Sequence, residues 1–443
     1  MRWALIVFAV LGLAIFLLFR DENLKPADDL MPQRPVIAWD DNNGWKKMLE
    51  WGERLQAPDK EAQRLVSEAI EMKLDPEKDS LRGTALNDAD LSELEALASM
   101  SQWGNRIRTE ITAPEDPTTR IVRSASHGLN GNSLLAIEEG SFATLIRSLR
   151  LSAALQRKHI STGTSLLNFL TGVFWFSNDL VARALVRMDL QDADLAGLDQ
   201  LLDSDPSTAE DYREAMRHEF RVLWNFLLDA KDATRGEAKG LIRYYYQKNR
   251  TLNLLAREFR SHITLALTAP YETIAALTSE REERQQRLSR WRTPNLLGEN
   301  IVANVLVLGT MELPIRCRTA VRRSLRVIIA LHRYHKSHGT LPATLDELVP
   351  AFLPAVPQDP FDFQPLRWDA VKRSVYSIGS DGKNQPPDFE GDTNPSGWRA
   401  LTSAGKAAPG ARFRTKADGP DFTPGTKPPG KSAPKAKPAP AKP

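Results

Sequence analysis

The apolar positions of this chain follow two patterns. Trp3 to Phe19 is an unbroken apolar run, WALIVFAVLGLAIFLLF, bounded by Arg2 and Arg20. From Asn43 to about residue 310 the apolar positions instead recur at helical spacing. Trp45, Met48, Leu49 and Leu55 share one face of a short helix. Asn87-Asp88 offers a cap to a helix carrying Leu91, Leu94 and Leu97. Ser133 to Leu155 repeats the stripe, and Leu166 to Met188 is apolar enough to be buried on most sides. Ser207-Thr208-Ala209-Glu210 precedes a helix through His218, Leu223 and Leu227. Alternating β-branched runs are missing, so the pattern predicts a mainly α chain.

The first run has helix-forming length. At about 1.5 Å per residue it would span roughly 25 Å, near the lower limit for a bilayer. Phe19-Arg20-Asp21-Glu22 has no small-residue cleavage site and no cysteine follows, which favours an uncleaved single-pass anchor. The lipid bilayer is therefore the expected partner of residues 3–19. The short N-terminal tail orients the body away from the cytoplasm.

The expected organisation is a transmembrane anchor over residues 1–20, a linker over 21–42, and a helical bundle or solenoid-like body over 43–312. A small α+β module over 313–400 and a disordered tail over 401–443 complete it. The tail is rich in Pro, Lys, Ala and Gly; nine of the 29 prolines lie in residues 408–443. So little apolar surface does not offset the entropy of ordering. Within 43–312, residues 86–97 and 190–201 share seven identities in twelve. Two similar helix starts explain this, and a duplicated helical unit is the alternative.

Composition adds little. Apolar residues make up 42% and charged residues 26%, ordinary for a globular chain, with a net charge of +3. The positive excess sits in the tail, where residues 406–442 hold nine Lys/Arg against two Asp. The remainder is net acidic, so no specific nucleic-acid partner is expected. The one cysteine, Cys317, reads as a buried small hydrophobe.

The richest stretch is 316–392. A basic amphipathic helix from Arg316 to Ser337 ends at His338-Gly339. A short turn of helix follows at Thr344–Val349, then a segment with Pro354, Pro357 and Pro360 that no regular element tolerates. Pro365–Trp368 and Ser374–Ile378 read as two antiparallel strands, closed by Gly379-Ser380-Asp381-Gly382.

This order resembles the C-terminal domain of the major pseudopilin of type II secretion systems. The resemblance rests on Tyr334, His338, Gly339, Pro342, Leu345, Leu348, Val349, Pro350, Leu353, Pro354, Pro357, Asp359, Pro360, Tyr376, Ser377, Gly379, Asp381 and Gly382. The chain also resembles a wider class of uncharacterised bacterial membrane proteins with an anchor and helical region before this module. The resemblance implies the bacterial inner (cytoplasmic) membrane, a role linked to secretion, and calcium bound after the last strand. Asp381 matches the family's first acidic position, and Asp388, Glu390 and Asp392 are the remaining candidate ligands. The anchor carries neither the family's basic leader nor its glutamate, so assembly into a pilus-like fibre is not expected.

Other candidate chemistry is sparse. His332, His335 and His338 are spaced for a metal, but such steps drift around a helix. His218-Glu219 begins like a zinc-protease motif, and Val222 stands where the second histidine is needed. Arg243-Tyr244-Tyr245-Tyr246-Gln247-Lys248 is a helix wall before it is a stacking surface. The leading expectation is a membrane-anchored envelope protein with a structural or interaction role and an unidentified protein partner. The alternative is an envelope enzyme with catalytic carboxylates dispersed through the helical body.

Overall fold

The computed structural model describes residues 21–55, 60–70, 76–104, 117–162, 166–173, 175, 178–203, 208–229, 247–288, 295, 298–299, 302–303, 308–380, 382, 398–399 and 410–412. The chain is mainly helical, as its periodicity demands. In chain order the helices are α1 (Gly44–Arg54), α2 (Lys60–Ile70), α3 (Lys78–Arg82), α4 (Asp88–Ser99) and α5 (Pro117–Glu139). Next come α6 (Phe142–Ser161), α7 (Leu166–Val173), α8 (Asn178–Arg187), α9 (Asp192–Asp203) and α10 (Ala209–Asp229). The last are α11 (Lys248–Leu265), α12 (Tyr271–Leu288) and α13 (Leu308–His338).

Local chemistry sets many of these ends. The Asn87 side chain accepts from the Asp90 N–H at 2.9 Å and opens α4, whose Leu91, Leu94 and Leu97 are buried. Gly140, at φ +72°, ends α5, and Ser141 caps α6, so the two helices double back as a hairpin. The second copy of the echoed sequence behaves alike. Asp194 accepts the Gln191 N–H at 2.9 Å, and Leu195, Leu198 and Leu201 are buried in α9. Both echo helices, α4 and α9, pack against α6.

The stretch 168–187 is long and apolar enough to cross a membrane, and 80% of its most apolar window is buried inside the protein. It is a core segment, which agrees with the burial its composition implied. Residues 1–20 lie outside the described residues, so the anchor expected there is not among these elements.

Two expected boundaries differ from the structure. Helix α13 begins at Leu308 and runs across the expected division between 312 and 313. Val321, Leu325, Ile328 and Leu331 of α13 share one core with Leu134 and Leu149 of the body and with Leu348, Leu353 and Val375 beyond the helix. The C-terminal module is thus fused to the body by apolar packing. Its strands β1 (Arg367–Asp369) and β2 (Ser374–Tyr376) pair antiparallel, with Trp368 opposite Val375. Two further strands, β3 (Trp398–Arg399) and β4 (Gly410–Arg412), complete a sheet in the order β1-β2-β4-β3. β4 lies past the expected module end at 400. Three residues of small and basic character carry too little pattern to mark a strand before their partner is known. The rest of the expected tail lies outside the described residues.

The segment expected as a linker also differs. Residues 21–34 lie along α11 and α10 as a strap, and Ala27 and Leu30 enter the core formed by α7, α10 and α11. Farther on, Asn43 caps α1 and donates to the carbonyls of Ala38 and Gly104 at 2.8 and 2.9 Å.

Candidate functional site

A buried polar cluster lies on α10. Thr208 begins the helix and exchanges hydrogen bonds with Asp211, whose N–H donates to Thr208 Oγ1 at 3.1 Å. Asp211 Oδ2 accepts from the Thr208 N–H and hydroxyl at 2.9 and 2.7 Å. This turn carries the Asp211 carboxylate into the interior, where its side chain is 1% exposed. Arg34 of the strap reaches Oδ1 at 2.6 Å, and Arg157 of α6 reaches Oδ2 at 2.7 Å. Burial alone would raise the Asp211 pKa. Hydrogen bonds from Thr208 and Arg34, with the charge of Arg157, outweigh it and hold the carboxyl below its ordinary value.

One helical turn on, the buried Glu214 accepts the strap's own backbone. The N–H groups of Gln33 and Arg34 both donate to Oε1 at 2.9 Å, while Arg217 donates to Oε2 at 3.1 Å. His218 follows, with Nε2 3.8 Å from Glu214 and Nδ1 3.3 Å from Arg221. Burial first, then the Arg221 charge, pushes its pKa down to about 4, so the imidazole is neutral at neutral pH. Chemically, the arrangement acts as a clamp. Buried carboxylates accept from the strap, Glu214 taking the N–H groups of Gln33 and Arg34, which lie past the strap's own 3-10 turn at Asp28–Leu30.

The strap is also held upstream. Asp21 caps α11, accepting from the N–H groups of Asn249 and Arg250 at 2.8 and 2.9 Å. Asn253 brackets the next residues, accepting from the Lys25 N–H and donating to the Asn23 carbonyl, both at 2.9 Å. Asp29 and Arg260 form a bidentate pair at 2.7 Å on each arm.

A second buried centre joins the module to the body. Arg316 donates through Nε to Glu312 at 2.9 Å, through Nη2 to the Ala269 carbonyl at 2.6 Å and through Nη1 to the Pro360 carbonyl. Glu312 also accepts from the Leu267 N–H at 3.0 Å. Beside them Tyr271 stacks edge-on with Phe361 at 5.4 Å, and its N–H donates to the Phe361 carbonyl at 2.8 Å. Within the module, buried Asp359 organises the proline segment. It accepts from Phe361 N–H (3.0 Å), Ser377 Oγ (2.7 Å), Ile378 N–H (2.8 Å) and Arg367 (2.6 Å). Burial nonetheless pushes its pKa up. Burial also pushes the nearby Cys317 thiol up to about 12.

Of the residues expected from sequence to bind calcium, Asp381, Asp388, Glu390 and Asp392 all lie outside the described residues. Among the described residues no group of three His, Cys, Asp or Glu side chains is disposed to hold a metal. His338 stacks on Tyr334 at 4.1 Å, and burial pushes His332 down to about 4. Of the Arg243–Lys248 stretch only Gln247 and Lys248 are described; Lys248 donates to the Leu228 carbonyl at 2.6 Å. The clamp residues Asp21, Asp211 and Glu214 and the joint residues Glu312 and Arg316 were not singled out from sequence. Thr208-x-x-Asp211 is a local signal for Asp211, and the i, i+4 spacing of Glu312 and Arg316 is one for the joint. No protein-family model, curated protein or solved structure matches the chain.

Proposed function

We propose that this is a single-pass protein of the bacterial inner (cytoplasmic) membrane, held by residues 3–19, with its body outside the cytoplasm. Its role is structural: it presents the helical body and a pseudopilin-like C-terminal module to a protein partner of the envelope, in connection with secretion. The observation that carries this reading is the continuous series of contacts from Asp21, which follows the apolar run in sequence, to the module. The chain leaves the run at Arg20 and is pinned at once by Asp21, then by Asp211 and Glu214. The body in turn grips the module through Glu312 and Arg316 and a shared apolar core. Such a path suits a fixed platform.

The pseudopilin likeness is supported by the order of elements. A long helix ends at Gly339, a turn of 3-10 helix spans Leu345–Leu348, and an Asp359-centred loop leads into antiparallel β1 and β2. The same likeness carries the proposal that calcium binds through Asp381, Asp388, Glu390 and Asp392.

Crosslinking in intact membranes, followed by purification of the full chain with and without calcium, tests the role. A discrete envelope partner retained on the body or module is expected. Recovery of the chain alone, or its release from membranes by alkaline carbonate, would overturn the reading. For calcium, an unfolding temperature unmoved by chelator would remove the ion from the proposal.

A further inference from the structure

The strap sets how the body meets the bilayer. Asp21 is two residues beyond Phe19, the last residue of the apolar run. An extended chain covers at most about 7 Å in two residues. The polar headgroup layer on one side of a bilayer is about 5–7 Å thick. Both Asp21 carboxylate oxygens are engaged by the first turn of α11. That turn therefore sits at headgroup depth whenever residues 3–19 cross the membrane.

The same end of the body includes the last turn of α10, because Lys248 Nζ donates to the Leu228 carbonyl at 2.6 Å. Its surface suits an interface. Four large apolar side chains are exposed among the described residues, and two lie here: Leu24 at 43% and Phe226 at 49%. Phe226 is within one turn of the end of α10. Leu24 is bracketed by Asn253, five residues into α11 and so about 8 Å from its start. Beside them Lys25 is an exposed amphipathic cation, and Arg250, 4.0 Å from Glu22, adds a second positive group suited to the boundary between acyl chain and water.

We infer that the end of the body formed by the start of α11, the end of α10 and Leu24 rests on the lipid headgroup layer, holding the body in one orientation. This inference depends on the anchor reading and adds to it a defined contact face. A free linker of the same length would permit any orientation.

The test uses the full chain reconstituted in lipid vesicles. Phe226→Cys and, separately, Val371→Cys are labelled with an environment-sensitive fluorophore. Val371 is 94% exposed on the β1–β2 turn of the module. Val371 is almost wholly exposed and Phe226 half exposed, so both accept a label, and the buried Cys317 takes up none. With lipids carrying a nitroxide near the headgroup, the probe at 226 loses most of its emission and the probe at 371 loses none. A flexible glycine-serine insert between Arg20 and Asp21 abolishes the difference while the chain still floats with the vesicles. A chain that floats with vesicles yet shows equal emission at 226 and 371 overturns the contact face and leaves the anchor standing. A chain that does not float overturns the anchor and the inference together.

Discussion

Replacing Arg316 by Met keeps the length of the side chain and deletes the guanidinium that joins the module to the body. Arg316 is 1% exposed and Glu312 is 4% exposed, so the lost partner is not replaced by water. The carbonyls of Ala269 and Pro360 lose a donor, and the Glu312 carboxylate is left with the Leu267 N–H. Breaking one side of a buried ion pair costs about 3–5 kcal/mol. That is a large share of the roughly 5–15 kcal/mol by which a domain is stable. Replacing both residues, as Glu312→Leu with Arg316→Met, removes the stranded charge. The Ala269 and Pro360 carbonyls and the Leu267 N–H then remain unpaired, at about 1–3 kcal/mol each, so the double variant loses less than the sum of the two single losses by the cost of the stranded charge. Denaturant unfolding of the full chain in detergent, followed by tryptophan fluorescence and circular dichroism, measures all three. A single-variant loss below about 1 kcal/mol, the size of an exposed pair, would refute the reasoning.

Acid is expected to weaken the fold in two stages. His218 is neutral in the folded chain down to about pH 4 but takes up a proton near 6.5 when unfolded. His332, also pushed down to about 4 by burial, acts in the same direction, so stability falls as pH drops from about 6.5 to 4, by on the order of 3 kcal/mol at most for each of the two. His218→Gln should make that part of a urea-midpoint profile against pH about half as steep, leaving the share of His332. Below this range Asp211 adds a further loss. Its folded pKa lies under the ordinary 3.8, so its contribution is present above that value and disappears as pH falls through the folded one. Cys317, with its thiol pushed up to about 12, should resist iodoacetamide in the native chain and react on unfolding; quantitative labelling by mass spectrometry at pH 8 without denaturant would contradict its burial. Gly339→Ala, at φ +72° where α13 ends, should cost about 1 kcal/mol in the same unfolding assay.

What could be read directly from the chain was short-range. The Asn87 cap and the 91-94-97 leucine stripe announce α4 because both signals lie within one helix. The end of α13 at Gly339 and the paired strands at 367–369 and 374–376 were legible for the same reason. The strap was not. Residues 21–42 are rich in Asp and Pro, and three prolines interrupt any helical spacing of their apolar residues, so locally they read as a spacer. Their partners Glu214, Asn249 and Arg260 lie more than 170 residues away, and no spacing rule connects an acid to an arginine at that distance. The fusion of module and body escaped for a related reason. An amphipathic stripe on α13 says that one face is buried, but not which helices bury it. Periodicity is a property of one element and survives in the sequence. The pairing of charges and the choice of which apolar faces meet are properties of the closed chain, and only its tertiary structure decides them.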